Sequence, residues 1–324
     1  MNRIIRKGFS VFVCVIMLVL TGCASNQVGY LTIADAGVGQ IEQLTAKAGP
    51  HTTKKTEKKV SKPEHADVVI QVAVTVELDG VLKAFGVENA ERCYDASDTY
   101  NFTYYRIKHN NLDIAVVMQP YMGMTYCSSL CTRAILAFEP ELICMVGICA
   151  GRANKVKLGD IVVASSVFDY AEGKQYEDKF AARPKTRSLD YMLSEYLTSE
   201  IVDNQAAIDE IRAGFKNAPE GISVSFHSMA SGAAVVDDPT VMERIAQLQD
   251  DTVALDMEAY ALGAAADTMN TKWLVIKTVQ DFADGNKAAT EGDIRPFAAY
   301  SSAKLLQILL DDISADDWDN MFKE

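Results

Sequence analysis

Three acidic residues of this 324-residue chain interrupt strongly apolar stretches, which makes them candidates for chemistry. Glu77 lies in "VAVTVELDGVL", Glu258 in "LDMEAYAL" and Asp281 in "VIKTVQDFADG". A buried acid costs free energy unless it is paired or hydrogen-bonded, so acids in such surroundings are candidates for a functional site. Each region also has a purely structural interpretation. Glu77 suits the first turn of a helix, Asp256 beside Glu258 suits an N-cap, and Asp281 could cap the segment that follows it.

The segments around these acids predict an α/β fold. Apolar runs typical of buried strands occur in "DVVIQVAV", "LDIAVVMQP", "ELICMVGICAG", "GDIVVASSVFDY", "GISVSFHSMASG" and "KWLVIKTVQDF". Helical patterns occur in "VELDGVLKAFG", "SSLCTRAILAF", residues 189–215, "PTVMERIAQL", "DMEAYALGAAADTM" and "FAAYSSAKLLQILLDDI". Strands that alternate with helices predict a single three-layer α/β/α domain around a mixed, largely parallel central sheet. Ligands of such sheets bind at the carboxyl ends of the strands, where Glu77 and Asp281 lie.

Residues 1–22 have the pattern of a lipoprotein-type signal peptide. Basic residues precede an apolar run that is too short for an ordinary membrane-spanning helix, and "LTGC" resembles the bacterial lipoprotein box. We therefore expect Cys23 to be lipidated, which would anchor the protein in the membrane of a bacterial cell envelope, on the periplasmic or extracellular side. The alternative is a chance cysteine after a plain signal peptide or anchor.

The rest of the chain divides by composition into three parts. Residues 23–66 are polar and basic and predict a hydrated tether, residues 67–312 predict the folded domain, and residues 313–324 predict an acidic tail. The formal net charge of −13 argues against nucleic acid as a partner. The cysteines after Cys23 are odd in number and lack framework spacing, so the sequence does not predict a disulfide scaffold.

A resemblance to a known family links the three acids to one function. The chain from about residue 67 to 312 resembles the purine nucleoside phosphorylase and methylthioadenosine/S-adenosylhomocysteine nucleosidase superfamily. The resemblance rests on five segments in the family's order and spacing: "VAVTVELDGVL", "ICMVGICAGRANKVKLGDIVVAS", "SMASGAAVV", "VALDMEAYAL" and "VIKTVQDFADG". It implies cleavage of the N-glycosidic bond of a purine nucleoside, and a homo-oligomer.

The resemblance implies a role for each matched position. Asp281 corresponds to the general acid that protonates the leaving base, and Glu77 corresponds to the glutamate that positions the attacking water. Glu258 corresponds to an acceptor of hydrogen bonds from the ribose hydroxyls, because a charged acceptor strengthens such bonds. The other expected substrate contacts are Met257 on the sugar, the base neighbours Val235 and Val236, and the tight "GICAG" backbone with Gly147 and Ala150.

The resemblance favours hydrolysis over phosphorolysis. Phosphorylases of this superfamily bind phosphate through a Gly-Asp-Pro-x-x-Arg loop after the first strand and through an arginine before the glycine-rich strand end. Here these positions read "VTVELDG" and Met145, so both arginines are missing. Without a cationic clamp a site has little means of holding a dianion, and the carboxylate of Glu77 would repel it.

Basic residues after the glycine-rich strand end are candidate contacts for a 5′-phosphate. "GICAGRANKVKLGD" contains Arg152 and Lys155, and "FDYAEGK" contains Tyr170 and Lys174. These side chains would make the substrate a nucleotide such as AMP or ATP. The alternative is a solvated turn, since charged residues of loops usually lie at the surface.

Three other functions stay open at this point. One is a phosphorylase with a different phosphate site, and another is a lipid-anchored nucleoside-binding protein without catalysis, against which the three matched acids argue. A serine or metal hydrolase has little support. Ser231 in "MASGA" lacks a nucleophile-elbow pattern, and the four histidines have no ligand spacing. No metal and no cofactor is therefore predicted.

Overall fold

The computed structural model describes the part of the chain that carries the predicted domain. Its described residues are 57–60, 63–95, 103–215, 218–311 and 313–322, with the backbone alone for 57–60 and 287–293. All of them belong to one unit, Lys54–Glu324. The predicted signal peptide, Cys23 and most of the predicted tether lie outside the described residues.

The strands and helical segments that the sequence predicts are all present, and the structure adds short strands that the sequence did not predict. The first part forms β1 (Glu57–Val60), β2 (Val68–Val72), α1 (Thr75–Ala84), β3 (Arg92–Asp95), β4 (Thr103–His109), β5 (Leu112–Met118), α2 (Met124–Phe138) and β6 (Leu142–Gly151). The middle forms β7 (Ile161–Asp169), β8 (Gly173–Gln175), β9 (Phe180–Ala182), β10 (Thr186–Ser188), α3 (Tyr191–Asp203), α4 (Gln205–Asp209) and a 3-10 turn (Glu210–Arg212). The last part forms β11 (Val224–Ser231), α5 (Pro239–Leu248), β12 (Thr252–Asp256), α6 (Ala259–Thr268), β13 (Lys272–Asp281), α7 (Lys287–Asp311) and α8 (Ala315–Phe322).

Eleven strands form one mixed sheet, which confirms the predicted fold class. Their order is β1-β3-β4-β5-β2-β6-β12-β11-β7-β10, and β13 pairs with both β6 and β7. The central strands run parallel, β2 with β5 and β6, β6 with β13, and β11 with β7 and β12. Antiparallel pairings of β12 with β6 and of β13 with β7 close five strands into a ring. The carboxyl ends of β6, β11, β12 and β13 therefore meet at one end of this ring.

Helices cover the sheet in two packed pairs, α1 with α7 and α2 with α6. The contact of α1 with α7 is close, because a Cβ at Gly80 would lie 2.7 Å from the backbone of Ala299. Helix α5 begins and ends where the sequence predicts, since Pro239 occupies its first turn and the side chain of Asp238 accepts a hydrogen bond from Thr240 N at 2.9 Å. In the part of the chain that the structure describes, no helix combines the length and apolarity needed to cross a membrane.

Several segments differ from the sequence prediction. The sequence predicts a helix that starts at Asp256, but Asp256 is the last residue of the short strand β12. Helix α6 therefore begins only at Ala259. The five buried residues of β12 are too few to give a pattern of their own. Strand β1 lies within the predicted tether, where it pairs with β3. The predicted acidic tail forms α8, which buries Trp318 and Met321 against the core.

Candidate functional site

A cavity of about 200 Å³ opens at the carboxyl ends of the central strands. Its wall combines residues that follow β2, β11 and β12 with the last residues of β6 and β13. The three acids that the sequence singled out, Glu77, Glu258 and Asp281, all line it. The location agrees with the rule for ligands of α/β sheets.

Glu77 is held by backbone amides from two directions. It lies in the first turn of α1, and its Oε2 accepts hydrogen bonds from Ala73 N at 2.7 Å and Val74 N at 3.2 Å. Its Oε1 accepts from Ile148 N on β6 at 3.0 Å. A Cβ at Gly147 would lie 1.9 Å from this same oxygen. Gly147, predicted as a substrate contact, is therefore the residue that makes room for the carboxylate of Glu77, and it does not line the cavity.

A buried lysine that the sequence did not single out lies between Glu77 and Asp256. Nζ of Lys277 on β13 is 3.7 Å from Oε1 of Glu77 and 3.7 Å from Oδ2 of Asp256, and the side chain is 1% exposed. Burial alone lowers the pKa of Lys277, but the negative charges of Glu77, Asp256 and Glu258 outweigh it and raise the pKa above its ordinary value. The ammonium therefore stays charged. The available signal was a single charge inside the apolar run "WLVIKTVQ".

Asp256 has a structural role at the start of α6. Its Oδ1 accepts hydrogen bonds from Ser231 Oγ at 2.7 Å, from Glu258 N at 3.2 Å and from Ala259 N at 3.1 Å. It thus caps the helix from the end of β12, two residues before the N-cap position, which Glu258 occupies. Both acids precede α6, whereas the sequence had suggested that Glu258 lies within a helix.

Glu258 is a buried carboxyl whose protonation changes near neutrality. Its Oε1 accepts hydrogen bonds from Gly123 N at 2.6 Å and from the side-chain amide of Gln119 at 3.3 Å. Burial, followed by the negative charge of Asp256, raises the pKa of Glu258 to about 7, while Lys277 and the Gly123 amide act in the opposite direction. Although Glu258 follows the apolar strand β12, its buried carboxyl group is hydrogen-bonded and faces the cavity.

Asp281 ends β13 and is 2% exposed. Its Oδ1 accepts a hydrogen bond from Ala283 N at 2.9 Å, and its Oδ2 accepts one from the side-chain amide of Gln280 at 3.0 Å. The amide oxygen of Gln280 is buried without a hydrogen-bond partner, and Gln280 also lines the cavity. Asp281 and Gln280 therefore lie side by side in the same wall of the cavity.

The predicted substrate contacts divide into two groups. Besides Glu258, four of them line the cavity, namely Met257, Val235, Val236 and Ala150. The four predicted 5′-phosphate contacts lie outside its lining, and they are Arg152, Lys155, Tyr170 and Lys174.

Three of these four residues, the basic ones, have other surroundings. The guanidinium of Arg152 donates to the carbonyl oxygen of Asp250 at 3.0 Å, and Lys155 is exposed on the turn after β6. Lys174 on β8 lies 4.8 Å above the ring of Tyr176. Among the residues that the structure describes, the cation in the cavity lining is Arg295 on α7, in a segment that the sequence did not single out.

Comparisons with known proteins identify the family to which the chain belongs. A family model described as "Phosphorylase superfamily" matches residues 67–314. The chain is 26% identical over 235 residues to the ATP nucleosidase Cap17 of Escherichia coli (strain KTE188), which covers 68% of this chain and 46% of that protein. It is 24% identical over 211 residues to a 5′-methylthioadenosine/S-adenosylhomocysteine nucleosidase of Maridesulfovibrio salexigens, which covers 64% of this chain and 86% of that protein.

A solved structure supports the fold. The futalosine hydrolase of Helicobacter pylori strain 26695 superposes with a TM-score of 0.62 at 17% identity, over 78% of this chain and 98% of that chain. The chain spans about half the length of the curated relatives that it matches first.

Proposed function

Because the chain belongs to the phosphorylase superfamily, whose model covers residues 67–314, we propose that it hydrolyses the N-glycosidic bond of a purine nucleoside or a 5′-substituted nucleoside or nucleotide. The products are the free base and the ribosyl compound. The observation that carries this proposal is the convergence of Glu77, Glu258 and Asp281 on one cavity. The relatives named as nucleosidases support the reaction class.

Asp281 serves as the general acid. When the bond between C1′ of the ribose and the base breaks, its electron pair goes to the base, and Asp281 supplies a proton to a ring nitrogen. Gln280 is adjacent in the cavity lining, and its side-chain amide is a candidate hydrogen-bonding group for the same base.

Glu77 orients the water that adds to C1′ and accepts its proton. Three backbone amides fix this carboxylate, and the ammonium of Lys277 compensates its charge. An oxocarbenium-like sugar is stabilised by nearby carboxylates. Inorganic phosphate at the same position would meet the carboxylates of Glu77 and Glu258, which favours water as the nucleophile.

Glu258 accepts hydrogen bonds from the ribose hydroxyls, and Met257 packs beside the sugar. The charged form of Glu258 is the stronger acceptor, so ribose binding improves as pH rises through the pKa of about 7. On the base side, Val235, Val236 and Ala150 supply apolar contacts.

Two observations bear on the 5′-substituent of the proposed substrate. The relative named ATP nucleosidase supports a nucleotide, and Arg295 is the lining cation suited to a phosphate group. We also propose that Cys23 anchors the enzyme to a bacterial envelope membrane, where it would act on nucleosides or nucleotides outside the cytoplasm. Assembly as a homo-oligomer remains part of the proposal.

The test uses the purified full-length chain with a panel of purine and pyrimidine nucleosides and their 5′-phosphates. Free base is followed by chromatography, with and without inorganic phosphate. Release of a purine base without phosphate is expected. Release only with phosphate would replace the hydrolase by a phosphorylase. Ligand binding without any release would favour a nucleoside-binding protein.

A further inference from the structure

A second group of ligating side chains lies outside the cavity lining, where the chain enters β2 and β6. Nε2 of His65 is 3.5 Å from Oδ1 of Asp67 and 3.7 Å from Oε2 of Glu141. The three ligating atoms lie within 4.8 Å of one another. His65 and Asp67 precede β2, and Glu141 precedes β6, its parallel neighbour. The sheet thus brings together one imidazole and two carboxylates that are far apart in the sequence.

The separations at His65 are too long for direct hydrogen bonds of ordinary geometry. His227 provides a comparison, because its Nδ1 lies 2.8 Å from Oδ1 of Asp251 in a hydrogen-bonded pair. In a tetrahedral zinc site with bonds of about 2.0–2.2 Å, two ligand atoms lie about 3.3–3.6 Å apart. The two distances from His65 are close to that spacing and leave room for an ion between the atoms.

Glu141 supplies an independent observation. Its Oε2, the oxygen that faces His65, is buried and accepts no hydrogen bond, and its ionic partner, Nε2 of His65, lies 3.7 Å away. A buried carboxylate oxygen that accepts no hydrogen bond is costly, and a second carboxylate, that of Asp67, lies nearby. A bound cation would satisfy this oxygen and compensate both charges. It would also draw the two carboxylates together by side-chain rotation, which their mutual repulsion otherwise opposes.

The surrounding hydrogen bonds orient the group. Oδ2 of Asp67 accepts a hydrogen bond from Asp113 N at 2.6 Å, which leaves Oδ1 directed at His65. The guanidinium of Arg106 donates to the carbonyl oxygen of His65 at 2.9 Å and fixes the backbone there. Its charge is itself paired with Asp113 at 3.2 Å. Such outer contacts are the means by which proteins orient metal ligands.

We propose that His65, Asp67 and Glu141 bind one divalent transition-metal ion, with Zn²⁺ as the ion that suits the donor set best. One imidazole nitrogen and two carboxylate oxygens are ligands that zinc accepts, with water in the fourth position. The ion joins the segment before β2 to the start of β6. The site is structural, and it is independent of the reaction proposed for the cavity.

The test adds Zn²⁺ alone to the full-length chain after treatment with a chelator. Zinc uptake is measured by competition with a chromophoric chelator, and thermal unfolding is followed in parallel. The wild type should bind one equivalent of zinc more than His65→Ala, or bind it at least about tenfold more tightly. Zinc should raise the Tm of the wild type more than that of His65→Ala or Glu141→Gln. Mg²⁺ should not substitute, since it prefers all-oxygen octahedral coordination.

His227→Ala is the matched control, because it removes a histidine–carboxylate pair of ordinary distance and should leave zinc uptake unchanged. His65 is half exposed, and Glu141→Gln keeps the size of the side chain. Both variants are therefore expected to fold without zinc, which circular dichroism verifies. Equal stoichiometry and affinity in the wild type and His65→Ala would overturn the proposal. So would a wild type that binds no zinc.

Discussion

Lys277 forms a buried ion pair with Glu77, which lines the cavity. Nζ lies 3.7 Å from Oε1, and both side chains are at most 2% exposed. Lys277 reaches Asp256 at the same distance. One ammonium therefore holds the acid that is proposed to orient water and the acid that caps α6. The position of this cation links the stability of the fold to the proposed chemistry.

Removing the buried ammonium should destabilise the protein strongly. Lys277→Met leaves Glu77 and Asp256 without their shared cation, and loss of one partner of a buried pair costs about 3–5 kcal/mol. Lys272→Met is the matched control on the same strand, because Lys272 forms a partly exposed pair with Asp190 at 2.6 Å. That change should cost about 0–1 kcal/mol. Urea unfolding measures both, and similar losses in the two variants would contradict the pairing.

Asp281→Asn should abolish base release while the fold is preserved. The amide keeps an oxygen that can accept the hydrogen bond from Ala283 N, but it cannot donate the proton that the leaving base needs. We expect kcat to fall by about 10²–10⁴-fold, measured with the best substrate of the panel. Asp284→Asn, three residues further on and outside the cavity lining, should keep its activity. An Asp281 variant with full activity would exclude this residue as the acid.

The activity should depend on the ionisation of Glu258. Because burial raises its pKa to about 7, kcat/KM for a ribonucleoside should increase as pH rises through that value. Glu258→Gln should lose this dependence and lower kcat/KM by about 10–150-fold, the equivalent of about 1.5–3 kcal/mol for a hydrogen bond to a charged group. A wild type that cleaves 2′-deoxynucleosides as fast as ribonucleosides would be inconsistent with the ribose role.

The same carboxyl should affect the pH dependence of stability. A folded-state pKa above the ordinary value means that the folded protein binds the proton more tightly than the unfolded chain does. The contribution of Glu258 to the free energy of unfolding is therefore greatest at about pH 4 and is lost as pH rises through about 7. Unfolding of the wild type and Glu258→Gln between pH 4 and 8 measures this difference. A difference that grows in the opposite direction would contradict the shift.

Gly147→Ala should displace Glu77. The new Cβ would lie 1.9 Å from Oε1 of Glu77, so the carboxylate must move from its position beside Ile148 N. Misplacement by about 1 Å can reduce activity by about 10²-fold, and overpacking costs about 1–3 kcal/mol. Gly221→Ala is the control, because nothing lies within 4 Å of its Cβ position. Base release and Tm are measured for both, and an active Gly147 variant would show that Glu77 tolerates the shift.

Arg295 should distinguish nucleotides from nucleosides. Arg295→Gln is expected to raise KM for a purine 5′-monophosphate by about tenfold or more, as for loss of a hydrogen bond between charged groups, with little change for the nucleoside. Arg152→Gln should leave both values unchanged, because Arg152 is bound to Asp250 outside the cavity lining. If Arg152→Gln raised KM for the nucleotide and Arg295→Gln did not, Arg152 would be the 5′-phosphate contact, as the sequence suggested.

The sequence by itself determined most of the central strands and the main helices, and it singled out the three acids. Apolar strands and amphipathic helices have local patterns, and an acid at the end of an apolar run stands out without knowledge of its neighbours. The start of α5 also depends on local sequence, because Asp238 is its N-cap and Pro239 lies in its first turn. The order and spacing of the matched segments then placed Glu77, Glu258 and Asp281 in one site before any distance was known.

The tertiary structure decided which residues share that site. Lys277 becomes an ionic partner of Glu77 only because β13 pairs with β6 beside α1, and Gly147 is required only where that carboxylate approaches it. Arg295 reaches the cavity from a distant helix, whereas Arg152, next to the glycine-rich segment, does not line it. Pairings between strands far apart in the chain set these relationships. Local residue patterns do not predict these contacts, because each contact depends on where the partner strand or helix lies in three dimensions.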